Sequence, residues 1–135
     1  MDPRHLYVHV PFCARRCAYC DFAIAVRRSV PVDEYAKSLS RELELKAVGN
    51  YALDSVYLGG GTPSRLGASG IARVLDLIRS RLGVNGETEI TIEANPDDID
   101  SVKATAWREA GINRVSLGIQ SFDDSVLRWM HRIHD

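Results

Sequence analysis

Four apolar stretches with a two-residue period, each followed by a stretch with a helical period, constrain this chain more than any other feature. "LYVHV" (Leu6 to Val10) reads as a strand ended by Pro11. Pro31 and Asp33 then open a helix in which Tyr35, Ala36, Leu39, Leu43 and Ala47 keep a helical period, and Gly49 stops it. "SVYL" (Ser55 to Leu58) is a second strand, running into three glycines. Ile71, Val74, Leu75, Ile78 and Leu82 mark an amphipathic helix closed by Gly83. "TEITIE" (Thr88 to Glu93) is a third strand, and Asp100 caps a helix through Ala110 with Gly111 after it. "RVSLGIQ" (Arg114 to Gln120) is a fourth strand, and Asp123 caps a last helix. Four successive βα units predict an α/β fold with a parallel sheet and right-handed crossovers.

The faces of these strands narrow the architecture. Parallel strands covered by helices on both sides read as continuous apolar runs, but these alternate. Leu6, Val8 and Val10 oppose Tyr7 and His9, and Val56 and Leu58 oppose Tyr57 and Gly59. Ile90 and Ile92 oppose Glu89, Thr91 and Glu93, while Val115, Leu117 and Ile119 oppose Ser116, Gly118 and Gln120. One side suits helices and the other is polar or small. The expectation is the N-terminal part of a partial (β/α) TIM-like barrel whose interior holds a ligand. An antiparallel sheet with one wet face is the alternative, and the intervening helices argue against it. In βα barrels chemistry sits at the C-terminal strand ends, which here carry "PFC", "GGGTPS", "EANPDD" and "GIQSFDD".

The 135 residues suffice for about one domain, and 45% apolar content suffices for a core. A net charge of −1 gives no bulk electrostatic reason to expect nucleic acid. The doublets Arg15–Arg16 and Arg27–Arg28 read as solvated patches, with anion contact as the other reading. No apolar run near the start resembles a signal peptide or membrane anchor. An odd cysteine count without such a signal points to a reducing, cytoplasmic compartment. The final "DDSVLRWMHRIHD" reads as a helix that simply stops, so residues 1–135 are expected to be the first part of a longer domain.

All three cysteines fall in "FCARRCAYCDF", spaced C-x3-C-x2-C directly after the first strand. A [4Fe–4S] cube takes cysteine thiolates, normally four. Three would leave one iron free to bind an amino-acid-like molecule. A zinc site completed by His9, a disulfide with a spare thiol, and inert buried cysteines are the competing readings. The polar, Arg-containing loop and its position after a strand favour the cluster.

The stretch "YVHVPFCARRCAYCDF" resembles the signature of the radical S-adenosylmethionine (SAM) superfamily. "YLGGGTPS", "IEANPDDI", "GINRVSLGIQSF" and "MHRIHD" follow in the order of the branch that holds oxygen-independent coproporphyrinogen III oxidase and the radical SAM haem chaperone. The resemblance covers essentially the whole chain. It implies that Cys13, Cys17 and Cys20 hold a [4Fe–4S] cluster whose fourth iron chelates SAM, which is cleaved reductively to methionine and a 5′-deoxyadenosyl radical. It further implies SAM contacts at Tyr7, at Tyr19 through its backbone, at Gly60, Gly61 and Thr62 around the amino group, at Glu93 for the ribose, and at Gln120 and Arg132. A barrel-core aromatic is the alternative for Tyr7, a core hydrogen bond for Gln120, cluster shielding for the Tyr19 side chain, a salt bridge to an arginine for Glu93, and an exposed helix position for Arg132.

One departure bears on function. The oxidase branch carries a further cysteine two residues after the third, and here that position is Phe22. This points to the chaperone-like group and away from decarboxylation of coproporphyrinogen III. The implied partners are SAM, haem and a haem-accepting protein, and an electron donor, without nucleic acid or a membrane span. His131 and His134 read as solvated groups at a helix end, and Trp107, Trp129 and Met130 as packing residues.

Overall fold

The computed structural model describes residues 2–46, 51–132 and 134. Among the described residues six strands and four α-helices follow in the order β1 (His5–Val10), β2 (Phe12–Cys13), β3 (Ala25–Val26), α1 (Val32–Lys46), β4 (Ser55–Gly60), α2 (Gly67–Arg79), β5 (Glu89–Ala94), α3 (Ser101–Ala110), β6 (Arg114–Leu117) and α4 (Asp124–Trp129). The main sheet runs β1-β4-β5-β6 with every pair parallel, which is the expected order of successive βα units. Ala47 and Gly49, expected to close the first helix, lie outside the described residues.

The period-two pattern sorts the strand faces. On β1, Val8 and Val10 are 3% and 0% exposed while Tyr7 on the opposite face is 57% exposed. Val56, Leu58, Ile90 and Ile92 are buried on the same side as the valines. There they meet Ile71, Val74, Leu75 and Ile78 of α2, all buried as their spacing predicts. Each such side chain contributes roughly 1.5–3 kcal/mol by leaving water, so this seam anchors the sheet. Thr91, on the polar face, is also fully buried, with Arg114 and Glu89 reaching its hydroxyl.

Caps behave as expected at the later helices. Asp100 accepts from Lys103 N at 2.8 Å, and Asp123 accepts from Ser125 N at 2.7 Å. Gly111 ends α3 in the left-handed region at φ 104°.

Five expectations are corrected. The second helix ends at Arg79 rather than reaching Gly83. Leu82 still joins the core from the following turn, where its N–H bonds Ile78 O at 2.8 Å. The third strand is shifted by one residue, to Glu89–Ala94. The fourth strand stops at Leu117: Gly118 N bonds Ala94 O at 2.9 Å, and Gln120 adopts φ 70°, which an extended strand does not accept. Finally Val115 and Leu117, although on the helix-facing side, remain 45% and 42% exposed, and Trp129, read as a packing residue, is 72% exposed. Trp107 does pack, at 2% exposure.

Candidate functional site

The cysteine loop is held by a small ladder that strand periodicity does not reveal. β2 and β3 pair in parallel, Phe12 with Ala25 and Cys13 with Val26. Ala25 N donates to Pro11 O at 2.8 Å and Arg27 N to Cys13 O at 3.0 Å, closing the intervening residues into a loop over the end of β1. Cys13 is buried; Cys17 and Cys20 are half-buried, with Cys20 N bonded to Cys17 O at 3.1 Å. Thr62 Oγ1 donates to Cys13 Sγ at 3.5 Å. Burial pushes the Cys13 thiol pKa up, and the Thr62 bond opposes that.

The glycine loop ends β4 beside this ladder. Gly61 N donates to Val10 O at 2.8 Å and Thr62 N to Phe12 O at 2.9 Å, so the loop continues along the chain entering the cysteines. Side chains do not fit here. A Cβ on Gly61 would stand 2.8 Å from the Pro11 carbonyl and 3.0 Å from Cys13 Sγ. A Cβ on Gly60, whose φ is +115°, would stand 2.5 Å from the His9 ring. Glu93 is satisfied by Tyr57 OH at 2.8 Å and Gly60 N at 3.0 Å, not by an arginine. Burial raises the Tyr57 pKa, with a Ser116 hydrogen bond opposing it and Glu93 adding to it.

Arg132 closes the opposite side. Its Nη2 donates to Asn95 Oδ1 and to Gly118 O, each at 2.6 Å, and Nη1 lies 4.0 Å from Cys17 Sγ. Its Nε is buried without a hydrogen-bond partner among the described residues. Far from being an exposed helix arginine, it folds back past the end of α4 across the strand ends. Tyr19 stands beside it; burial raises that phenol's pKa and Arg132 opposes the rise.

One cavity of about 380 Å³ gathers these groups. Cys13, Cys17, Cys20, Tyr19, Gly60, Gly61, Thr62, Glu93, Gln120 and Arg132 all line it. Tyr7 does not. It faces the polar side as expected, but stacks on Tyr57 at 6.0 Å between ring centroids and places its hydroxyl 3.4 Å from His9 Nδ1. His9 Nε2 lies 2.8 Å from Ala23 O. His134, read as solvated, is instead 7% exposed in its side chain, with Nε2 2.9 Å from Ile119 O. Asn95, Ser116 and Arg65 also line the cavity; Ser116 lies on the polar strand face the period marks, but none of the three reads as a site residue from the sequence alone. Asn95 lies in the quoted "EANPDD", which signals a site without saying which polar residue faces it.

The donor set fits an iron–sulfur cluster: three thiols from one loop share a cavity with backbone that approaches too closely for any side chain. Among the described residues no group of three or more His, Cys, Asp or Glu converges to hold a single metal ion. Among the described residues no helix is long and apolar enough to cross a membrane.

Parallel βα units with three thiols and a glycine loop at their C-terminal ends define a radical SAM core, and the pattern of the Radical SAM superfamily matches residues 7–135; the chain belongs to that superfamily. Its similarities are to the branch of haem chaperones and coproporphyrinogen III oxidase. It is 36% identical over 137 residues to the heme chaperone HemW of Escherichia coli, covering 99% of this chain and 36% of that protein. It is 38% identical over 131 residues to HemW of Bacillus subtilis, covering 95% and 35%. Among solved structures it is similar to coproporphyrinogen III oxidase (HemN) of Escherichia coli, a radical SAM enzyme, with a TM-score of 0.86, 34% identity, and coverage of 96% of this chain and 31% of that one. The fold is thus part of a TIM-like radical SAM barrel. The chain spans about a third of its relatives' length, 36% for the first.

Proposed function

We propose that residues 1–135 form the N-terminal part of a radical SAM core that binds a [4Fe–4S] cluster and SAM and serves haem binding and delivery. Cys13, Cys17 and Cys20 would hold the cluster. Gly60, Gly61, Thr62, Glu93, Gln120, Arg132 and the Tyr19 backbone would hold SAM, and Tyr7 would act one layer away through its stack on Tyr57. The bound cofactor supplies one-electron cleavage of the SAM sulfonium. The chain's own residues orient the sulfonium and keep water away. The observation that carries this reading is the single cavity lined by all three thiols, the glycine loop and Arg132.

Haem delivery is favoured over porphyrinogen oxidation by the names of the similar proteins and by Phe22, which lines the cavity where the oxidase pattern has a cysteine. Haem, a haem-accepting protein and an electron donor are the implied partners, in a reducing cytoplasmic compartment. Membership of the Radical SAM superfamily favours an iron–sulfur cluster over a structural zinc module.

Anaerobic reconstitution of the full-length protein tests the reading. Iron and labile sulfide near four each per chain, with an electron paramagnetic resonance spectrum altered by SAM, are expected. Zinc without sulfide would overturn it. Haem titration beside product analysis with coproporphyrinogen III separates chaperone from oxidase: saturable haem binding without decarboxylated product is expected.

A further inference from the structure

Arg65 lies in the 3-10 turn Pro63–Leu66 that follows the glycine loop. Its Nη2 donates to two successive carbonyls, Arg27 O at 2.8 Å and Arg28 O at 3.1 Å. Those residues directly follow β3, whose Val26 is the register partner of Cys13, and Arg27 N donates in turn to Cys13 O at 3.0 Å. The turn is also tied to Cys13 from the other side. Thr62 Oγ1 bonds Cys13 Sγ at 3.5 Å, and Arg65 N bonds Thr62 O at 3.0 Å. A closed circuit of hydrogen bonds therefore runs from Cys13 through Arg27 to Arg65, then through Thr62 back to the sulfur.

Glu93, Asp97 and Asp98 line the same cavity as Arg65, but none of them pairs directly with its guanidinium. Among the described residues Arg65 forms no ion pair with a carboxylate. Its Nε is buried without a hydrogen-bond partner among the described residues, and the side chain lines the same cavity as the three thiols. A partly buried cation beside a redox centre stabilises the state carrying the additional electron.

We infer that Arg65 is a positioning residue for the Cys13 ligand and that its guanidinium raises the reduction potential of the cluster held there. The inference rests on the cluster reading above and deepens it.

The test is an anaerobic redox titration of the reconstituted full-length protein, with mediators. Dithionite supplies one electron to each oxidised [4Fe–4S]2+ cluster, giving the 1+ form, and ends as sulfite. Arg65→Met is expected to shift the potential to more negative values, and Arg65→Lys, which keeps the charge, to lie between Arg65→Met and wild type. Arg41→Gln removes the same charge from the exposed face of α1 and is expected to leave the potential unmoved. Amide exchange at Arg27 is expected to quicken in both Arg65 variants as its clamp is lost. Equal potentials in wild type and Arg65→Met, or in Arg65→Lys and Arg65→Met, overturn the inference. Should Arg65→Met lose its cluster, Arg65→Lys decides: wild-type potential together with wild-type exchange at Arg27 overturns it. A wild type that takes up no cluster overturns the underlying reading instead.

Discussion

The backbone N–H of Gly60 donates to Glu93 Oε2 at 3.0 Å, so the carboxylate at the end of β5 holds the backbone at the end of β4. The other oxygen of that carboxylate accepts from Tyr57 OH at 2.8 Å. The two strand ends, and the glycine loop between them and the cysteines, thus behave as one unit.

Removing the carboxylate should expose this coupling. Glu93→Ala leaves the Gly60 N–H and the Tyr57 hydroxyl without their acceptor, at a cost of roughly 1–3 kcal/mol. Glu93→Gln retains one acceptor and should cost less. Denaturant midpoints of the full-length protein, read beside SAM titrations, check the ranking. Equal stability of the two variants would contradict it.

The loop glycines should fail for different reasons. Gly67 has φ +69° and ψ 170°, backbone essentially confined to glycine, but open space where a methyl would stand, so Gly67→Ala should cost about 1–3 kcal/mol of backbone strain and no clash. Gly60→Ala adds a clash with His9 and should cost more. Gly61 needs no unusual φ, yet its Cβ would press on Pro11 and Cys13 Sγ, so Gly61→Ala should lower iron content more than thermal stability. Melting curves and iron analysis on the same preparations separate the three.

Arg132 should not tolerate lysine. Its guanidinium spans Asn95 Oδ1 and Gly118 O while keeping Nη1 near Cys17, a fork that a point-like ammonium does not reproduce. Loss of these charged hydrogen bonds within the protein should cost about 1.5–3 kcal/mol of stability, and the displaced side chain should weaken SAM binding. Calorimetric titration of Arg132→Lys against wild type measures it, and unchanged affinity would remove Arg132 from the site.

Acid should loosen the capped helices. Asp100 is held below its ordinary 3.8 chiefly by the Lys103 backbone N–H, and Asp123 chiefly by the Ser125 hydroxyl. Because the folded value is depressed, the contribution is present above pH 3.8 and is lost as pH falls through the folded value. Asn accepts the same cap bond without titrating. The stability difference between wild type and Asp100→Asn should therefore shrink on acidification below that range. A difference that widens there would show the sign to be wrong.

Much of this site could be read before the structure. The order of β1, β4, β5 and β6, the burial of Ile71, Val74, Leu75 and Ile78, and the caps at Asp100 and Asp123 depend on periodicity and short-range bonding, which neighbouring residues encode. The motifs at the strand ends do converge on one cavity. What escaped was non-local. The β2–β3 ladder is two residues long on each side, too short for any period. His134 is buried because the chain after α4 returns to Ile119, and Tyr7 misses the cavity because it stacks on Tyr57.

The amino-acid sequence by itself determined where the thiols cluster and which strand faces turn away from water, since both follow from residue type and spacing. Tertiary structure alone decided which groups meet: that Arg65 clamps the strand beside Cys13, that Glu93 holds Gly60, and that Arg132 reaches Asn95. The physical reason is range. Hydrophobic period and cap chemistry act within a few residues, whereas a hydrogen bond between segments dozens of residues apart exists only once the packed sheet has brought them together.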